Sequence, residues 1–130
     1  MAEPRIEALD HLVITVADMA ATIAFYTTVL GCTEISYGAG RKALRFGNQK
    51  LNVHPRGNSI ALVAAQPTPG SADLCFLSST PVAQWQTHLA RHGVALEAAA
   101  AEKVGATGPI LSIYIRDPDR NLIEISNRLE

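Results

Sequence analysis

The chain has 130 residues, a formal net charge of −1 and a sequence pI near 6.4. This length suffices for one domain with its own hydrophobic core, and the balanced charge excludes the basic surface of a typical nucleic-acid-binding protein. Its two cysteines are too few for a disulfide framework. The start, Met1–Arg5, leads into no apolar signal-peptide core, and no apolar run is long enough to cross a bilayer. We therefore expect a soluble cytoplasmic protein with neither nucleic acid nor membrane as a partner.

The first half of the chain predicts a strand, a helix and three short strands. Residues 9–16 alternate between apolar and polar side chains, which is typical of a half-buried strand. Asp18 is a candidate N-cap, apolar residues recur at helical spacing from Met19 to Leu30, and Gly31 ends the predicted helix. Strand candidates follow at residues 32–38, 41–47 and 49–54. Residues 55–70 form a linker, and its apolar centre, Ile60–Ala65, implies that part of it packs.

The second half repeats this order of elements. A strand begins at Ala72, Thr80 is the expected N-cap, Pro81 is the first helical position and Gly93 ends the helix. Three strand candidates follow at residues 94–100, 110–117 and 121–127, and residues 99–108 have the alanines and glycines of a mobile loop. Each half therefore has the pattern βαβββ.

This pattern predicts an α+β fold in which two βαβββ modules curl into a half-open curved sheet or barrel with the helices outside. Residues 1–130 form a single domain made of module 1 (about 8–54), the linker (about 55–70) and module 2 (about 71–127).

Alternation places polar side chains on the sheet faces that carry no helix. His11, Asn52, Asp73 and Glu124 each lie on this face of a different strand. Glu124 belongs to LIEIS, a strand otherwise built for burial, so its carboxylate needs a partner. His11, Asp73 and Glu124 together offer one imidazole and two carboxylates, a set that suits a divalent ion such as zinc, nickel, manganese or iron. Taken singly, the histidine is structural and the acids are salt-bridged in most proteins.

Three further residues are candidates for roles near this site. His54 lies two residues beyond Asn52 on the same face, where a histidine ligates a metal, shuttles a proton or bonds only solvent. Arg41 and Arg45 share one face of RKALRFG and have the chemistry to bind an anionic substrate, although exposed arginines are common on strands.

The stretches LDHLVITVADMAATIAFYTTVLG and DPDRNLIEI resemble the vicinal oxygen chelate superfamily, which includes glyoxalase I, bleomycin resistance proteins, extradiol dioxygenases and fosfomycin resistance proteins. RKALRFGNQKLNVH resembles its short glyoxalase-domain branch. The resemblance implies that His11 and Glu124 hold a metal that chelates two neighbouring substrate oxygens. Asp73 stands where many members have histidine, and Asn52 stands where glyoxalase I has a glutamate. Asparagine cannot accept a proton, which argues against the glutathione-dependent glyoxalase I reaction.

The expected function is that of a metal-dependent lyase or isomerase acting on a small oxygen-rich substrate. Glu124 and His54 are the expected catalytic residues, His11, Asp73, Glu124 and His54 the candidate metal ligands, and Asn52, Arg41 and Arg45 the substrate contacts. The resemblance also implies a homodimer. Two alternatives remain: a metal-free binding protein of the bleomycin-sequestering kind, and a metal-dependent resistance transferase.

Overall fold

The computed structural model describes residues 3–130. Met1 and Ala2 lie outside the described residues. They begin the segment Met1–Arg5, for which the sequence predicts no signal-peptide core. The elements in chain order are β1 (His11–Val16), α1 (Met19–Thr28), β2 (Thr33–Tyr37), β3 (Arg41–Phe46), β4 (Gln49–Pro55), β5 (Asp73–Leu77), α2 (Val82–Arg91), β6 (Ala101–Val104), β7 (Pro109–Arg116) and β8 (Leu122–Arg128). Among residues 3–130, no helix is long and apolar enough to span a membrane.

The strands form two four-stranded sheets in the orders β1-β4-β3-β2 and β5-β8-β7-β6. In each sheet the first and last strands of the module pair in parallel, and the remaining pairs are antiparallel. The predicted fold class of two βαβββ modules is thereby confirmed. Neither sheet closes into a barrel, so each presents an open face opposite its helix.

Both modules contribute to one hydrophobic core. Ile14 and Val16 of β1 and Ile123 and Ile125 of β8 are almost fully buried in the same cluster. The rings of Phe46 and Phe76 meet edge to face across the two sheets, with centroids 5.0 Å apart. Each buried aliphatic side chain contributes roughly 1.5–3 kcal/mol relative to exposure. The apolar faces of both sheets are therefore buried in this common core.

The two helices begin in different ways. Asp18 caps α1 as predicted, because its Oδ1 accepts a hydrogen bond from the backbone N–H of Ala21 at 3.0 Å. The prediction that Thr80 caps α2 is wrong. The helix begins at Val82, whose N–H donates to Oδ1 of Asn127 on β8 at 2.8 Å. A cap supplied by a distant strand leaves no local sequence signal.

The segment after α2 also differs from the prediction. No strand forms at residues 94–100, and β6 lies instead at Ala101–Val104, within the segment expected to be a loop. Leu96 packs against the core, and the Glu97 N–H bonds the Tyr114 carbonyl at 2.8 Å, so this stretch is fixed without strand pairing. All four residues of β6 are exposed, as at a sheet edge.

Ile60 of the apolar centre of the linker is half-buried, but the rest of this segment is exposed. Leu62 is 96% exposed and Val63 is 42% exposed. This part of the linker runs along the outside of the molecule, where it forms a wall of the cavities described below.

A tight turn at Asp117 joins β7 to β8, and the buried Asp117 carboxylate accepts several hydrogen bonds. Arg120 N–H closes the turn on the Asp117 carbonyl at 2.9 Å. The Asp117 carboxylate accepts from the Tyr26 hydroxyl at 2.7 Å, from the Asn121 side chain at 2.7 Å and from the Asn121 and Asp119 backbone at 2.9 and 3.0 Å. Burial and the Asp117 charge raise the pKa of Tyr26 far above its ordinary value, so Tyr26 stays a neutral donor. This contact ties α1 of module 1 to the β7–β8 turn of module 2.

We expect Tyr26→Phe to lower the free energy of unfolding by about 1.5–3 kcal/mol, because it removes a hydrogen bond to a buried carboxylate. Tyr37→Phe is the matched control, since the buried Tyr37 hydroxyl has no hydrogen-bond partner within the described chain. That change should be neutral or slightly stabilising. Urea denaturation measures both variants, and equal effects would contradict the role given to the Tyr26–Asp117 bond.

Candidate functional site

Four of the predicted residues line one cavity on the open face of the first sheet. This module 1 half-site has a volume of about 370 Å³ and is lined by His11, Val13, Arg41, Asn52, His54, Ile60, Ala61 and Leu62. The parallel register of β1 and β4 places Val13 opposite Asn52 and Thr15 opposite His54. Adjacent polar side chains from β1, β3 and β4 therefore converge here, as the alternation predicted.

His11 is held by its sequence neighbour. Its Nδ1 lies 2.9 Å from Oδ2 of Asp10, and a neutral ring that donates through Nδ1 leaves Nε2 as an acceptor. A carboxylate that orients a histidine in this way is the arrangement found behind metal-bound imidazoles.

Asn52 and His54 contribute two buried polar atoms without hydrogen-bond partners. Oδ1 of Asn52 and Nδ1 of His54 are inaccessible to solvent and unpaired within the described chain, and the two residues are only 8% and 5% exposed. A buried polar group left unpaired costs about 1–3 kcal/mol. This half-site therefore has unused hydrogen-bonding capacity.

The two arginines of β3 differ in their surroundings. Lys42 of β3 lies opposite Val53 of β4. Because the two strands are antiparallel, Arg41 lies beside His54. Burial, and then the positive charge of Arg41, lower the pKa of His54, which favours the neutral imidazole. Both arginines are exposed, but Arg45 lies opposite Lys50 and does not line this cavity.

Glu124 lies in a separate cavity on the open face of the second sheet. This module 2 half-site has a volume of about 530 Å³, and its polar lining comes from Cys75, Lys103, Thr107, Tyr114, Glu124 and Arg128. Tyr114 pairs in register with Glu124. Burial, and then the Glu124 charge, raise the pKa of Tyr114, so its hydroxyl stays protonated. Cys75 is exposed in this cavity.

The partner of Glu124 within its own chain is a serine. Ser112, fully buried on β7, donates its hydroxyl to Oε2 of Glu124 at 2.5 Å, and Ser126 donates to the same oxygen at 3.4 Å. The two serine hydroxyls lie 2.6 Å apart. Oε2 is thus fixed by the protein, while Oε1 is free of both serines.

Asp73 lies in a third cavity, of about 560 Å³, between β1, β5 and the linker. His54 and Asn121 line the same cavity, but Glu124 does not. Within residues 3–130 of one chain, no group of three or more His, Cys, Asp or Glu side chains is placed to hold a metal ion. The predicted set of His11, Asp73 and Glu124 is therefore not assembled inside a single chain.

Sequence reasoning missed Asp10, Ser112 and Tyr114. Asp10 immediately precedes the predicted His11 strand, and its proximity to the histidine was a usable signal. Ser112 and Tyr114 alternate with Ile113 and Ile115 on β7, so the same face analysis, applied to this third strand, finds them.

The lowered pKa of His54 predicts a pH effect on stability. The unfolded chain takes up a proton at His54 near pH 6.5, whereas the folded metal-free protein takes it up only at lower pH, so the free energy of unfolding falls as pH drops below about 6.5. His54→Gln should flatten this part of the profile, while His92→Gln on the exposed end of α2 should leave it in place. Urea titrations between about pH 5 and 7.5 in EDTA test this. Identical slopes for wild type and His54→Gln would contradict the assignment.

The family model described as the glyoxalase/bleomycin resistance protein/dioxygenase superfamily matches residues 8–125. A glyoxalase domain-containing protein of Mycosarcoma maydis is 51% identical over 122 residues, which cover 94% of this chain and 69% of that protein. A virulence protein of Salmonella typhimurium is 50% identical over 121 residues, which cover 93% of this chain and 84% of that protein.

The crystal structure of the Salmonella virulence protein superposes with a TM-score of 0.94 at 48% identity, over 97% of this chain and 100% of that one. An integron cassette protein from the mobile metagenome of V. cholerae superposes with a TM-score of 0.96 at 45% identity, over 98% of this chain and 100% of that one. The sequence match and the two-module architecture agree over nearly the whole chain. This chain therefore belongs to the glyoxalase/bleomycin resistance protein/dioxygenase superfamily.

Proposed function

We propose that the protein is a metal-dependent enzyme of the lyase or isomerase type that acts on a small oxygen-rich substrate, with a site completed by two copies of the chain. The observation that carries this proposal is that His11 and Glu124 each have a hydrogen-bond partner, a solvent-exposed aspartate for His11 and a buried serine for Glu124. Asp10 fixes His11 through Nδ1, and Ser112 fixes Glu124 through Oε2. Each side chain keeps one nitrogen or oxygen for a ligand, which is the arrangement that hydrogen bonds behind a metal site provide.

The donor chemistry fits a divalent ion such as zinc, nickel, manganese or iron. His11 supplies an imidazole, Glu124 and Asp73 supply carboxylates, and Asn52 and His54 supply further unpaired atoms. Because the described part of one chain brings no three ionisable donors together, we assign these ligands to two chains, with module 1 of one copy facing module 2 of the other. Such a pairing brings the cationic Arg41, Arg45 and Lys50 of one open face toward Asp73 and Glu124 of the other.

A bound ion would polarise two neighbouring substrate oxygens and stabilise negative charge that develops on them. Glu124 is placed to take a substrate proton at Oε1 while Ser112 holds Oε2. Tyr114, protonated beside Glu124, is a candidate donor for the return of that proton. His54, with its lowered pKa, offers a neutral nitrogen as a second acceptor, and Asn52 binds a substrate oxygen without exchanging protons.

Zinc, nickel, manganese or iron added to untagged, chelator-stripped protein should raise its melting temperature, because an ion that binds only the native state stabilises it. His11→Ala and Glu124→Gln should each abolish most of this rise. His92→Ala, a change at an exposed helix end, is the matched control and should keep it. If none of the four ions raises the melting temperature of the wild type, the metal-dependent enzyme is excluded, and a metal-free binding protein of the same superfamily takes its place.

The shared site predicts complementation between two inactive variants. In a mixed dimer of His11→Ala and Glu124→Gln chains, one site carries both substitutions and the other carries neither. Co-expressed and doubly affinity-purified mixed dimers, freed of their tags, should bind one ion per dimer, while each variant alone binds none. No recovery in mixed dimers that are shown to form would place His11 and Glu124 in one chain's site and contradict the sharing.

A further inference from the structure

The module 1 half-site carries a positive charge with no counterion. Arg41 is exposed to solvent and makes no salt bridge or side-chain hydrogen bond within residues 3–130, whereas its neighbour Lys42 pairs with Glu34 at 3.0 Å. No acidic residue of the described chain is among those that line this cavity. Asp10, the acid adjacent in sequence to His11, is engaged by its ring at 2.9 Å. The free guanidinium therefore favours an anion in the cavity.

The unpaired atoms of Asn52 and His54 add neutral hydrogen-bonding groups beside this charge. Both residues are more than nine-tenths buried and line the cavity with Arg41. A ligand that satisfies all three side chains needs an anionic group together with an adjacent hydroxyl or carbonyl oxygen. The opposite wall, formed by Ile60, Ala61 and Leu62 of the linker, is apolar and suits a short hydrocarbon portion.

We infer that the substrate is a small carboxylic acid with a hydroxyl or carbonyl oxygen on the carbon next to the carboxylate, and that Arg41 binds its carboxylate. A planar guanidinium matches a carboxylate with two parallel hydrogen bonds. Asn52 and His54 then bond the neighbouring oxygen. A single arginine supplies too little positive charge for a phosphate dianion, which arginine clusters bind. This assignment rests on the proposed function, because it identifies the substrate class of that same site.

The test uses L-lactate as the probe and lactamide as its uncharged isostere. Heteronuclear NMR titrations of the chelator-stripped protein and of the zinc-treated protein should show saturable shifts at the module 1 half-site with lactate and weak or no binding of lactamide. Arg41→Gln should weaken lactate binding about tenfold or more, because it removes a charge-assisted bidentate contact.

Arg45→Gln is the matched control, on the same strand and the same face. It lies four residues away, roughly 13 Å along the strand, so its charge is largely screened from the cavity and lactate affinity should change by less than about twofold.

Three outcomes would overturn the inference: lactate and lactamide binding equally well, Arg41→Gln binding lactate like the wild type, or no saturable lactate binding in either protein sample. Inorganic phosphate that binds through Arg41 in place of lactate would reject the carboxylate class in favour of a phosphorylated ligand. The melting-temperature response to metal is read on the same samples, so a failure of the metal site is distinguished from a failure of the substrate class.

Discussion

Burial of both sheets in one common core is the constraint on which the rest of the structure depends. Each sheet has one apolar and one polar face, and the apolar faces meet through contacts such as Phe46 against Phe76. Since strand side chains alternate, the residue next to a core residue along a strand lies on the opposite face of its sheet. His11, Asn52 and His54 follow from this on one sheet and Glu124 on the other, in two separate cavities. The two half-sites are therefore open because both sheets pack their apolar faces into one core.

Asp117 and Glu124 are acids of the same stretch of sequence, but their hydrogen bonds give the first a structural role and leave the second accessible to a ligand. Asp117 is 5% exposed, and its carboxylate accepts four hydrogen bonds, so it has no capacity for a ligand. Both serine hydroxyls contact the same oxygen of Glu124, and this residue lines an open cavity. Asp117 therefore links the two modules, and Glu124 remains accessible to a ligand. A buried carboxylate in a sequence therefore indicates a function only when its hydrogen bonds leave an atom free.

Much of the fold could be predicted from the sequence because its signals are local. Alternation placed His11 and Glu124 on the open faces, and Asp18 and the Asp117 turn are recognisable from a few residues. The predictions that failed concern features that depend on tertiary contacts. Asn127 caps α2 from a distant strand, and β6 forms at an edge by pairing with β7 where the local sequence resembled a loop. The exposure of Leu62 follows from the path of the linker, which hydropathy does not encode.

Only part of the candidate site could be predicted from the sequence, because alternation is a local signal. Period-2 alternation identifies which face a residue occupies, but it does not say whether two faces belong to the same cavity. His11, Arg41, Asn52 and His54 share one, while Glu124 and Asp73 lie in two others. The serine that anchors Glu124 comes from a third strand and is specified only by the β7–β8 register. The proposal that a second copy of the chain completes the site rests on this division between the sheets.

Anomalous diffraction from crystals grown with manganese or zinc tests this division most directly. The account predicts a metal peak between two protomers, within bonding distance of His11 from one chain and Glu124 from the other, at about 2.0–2.2 Å. A peak whose ligands all come from one chain, or a fully formed dimer with no metal at this position, would contradict it.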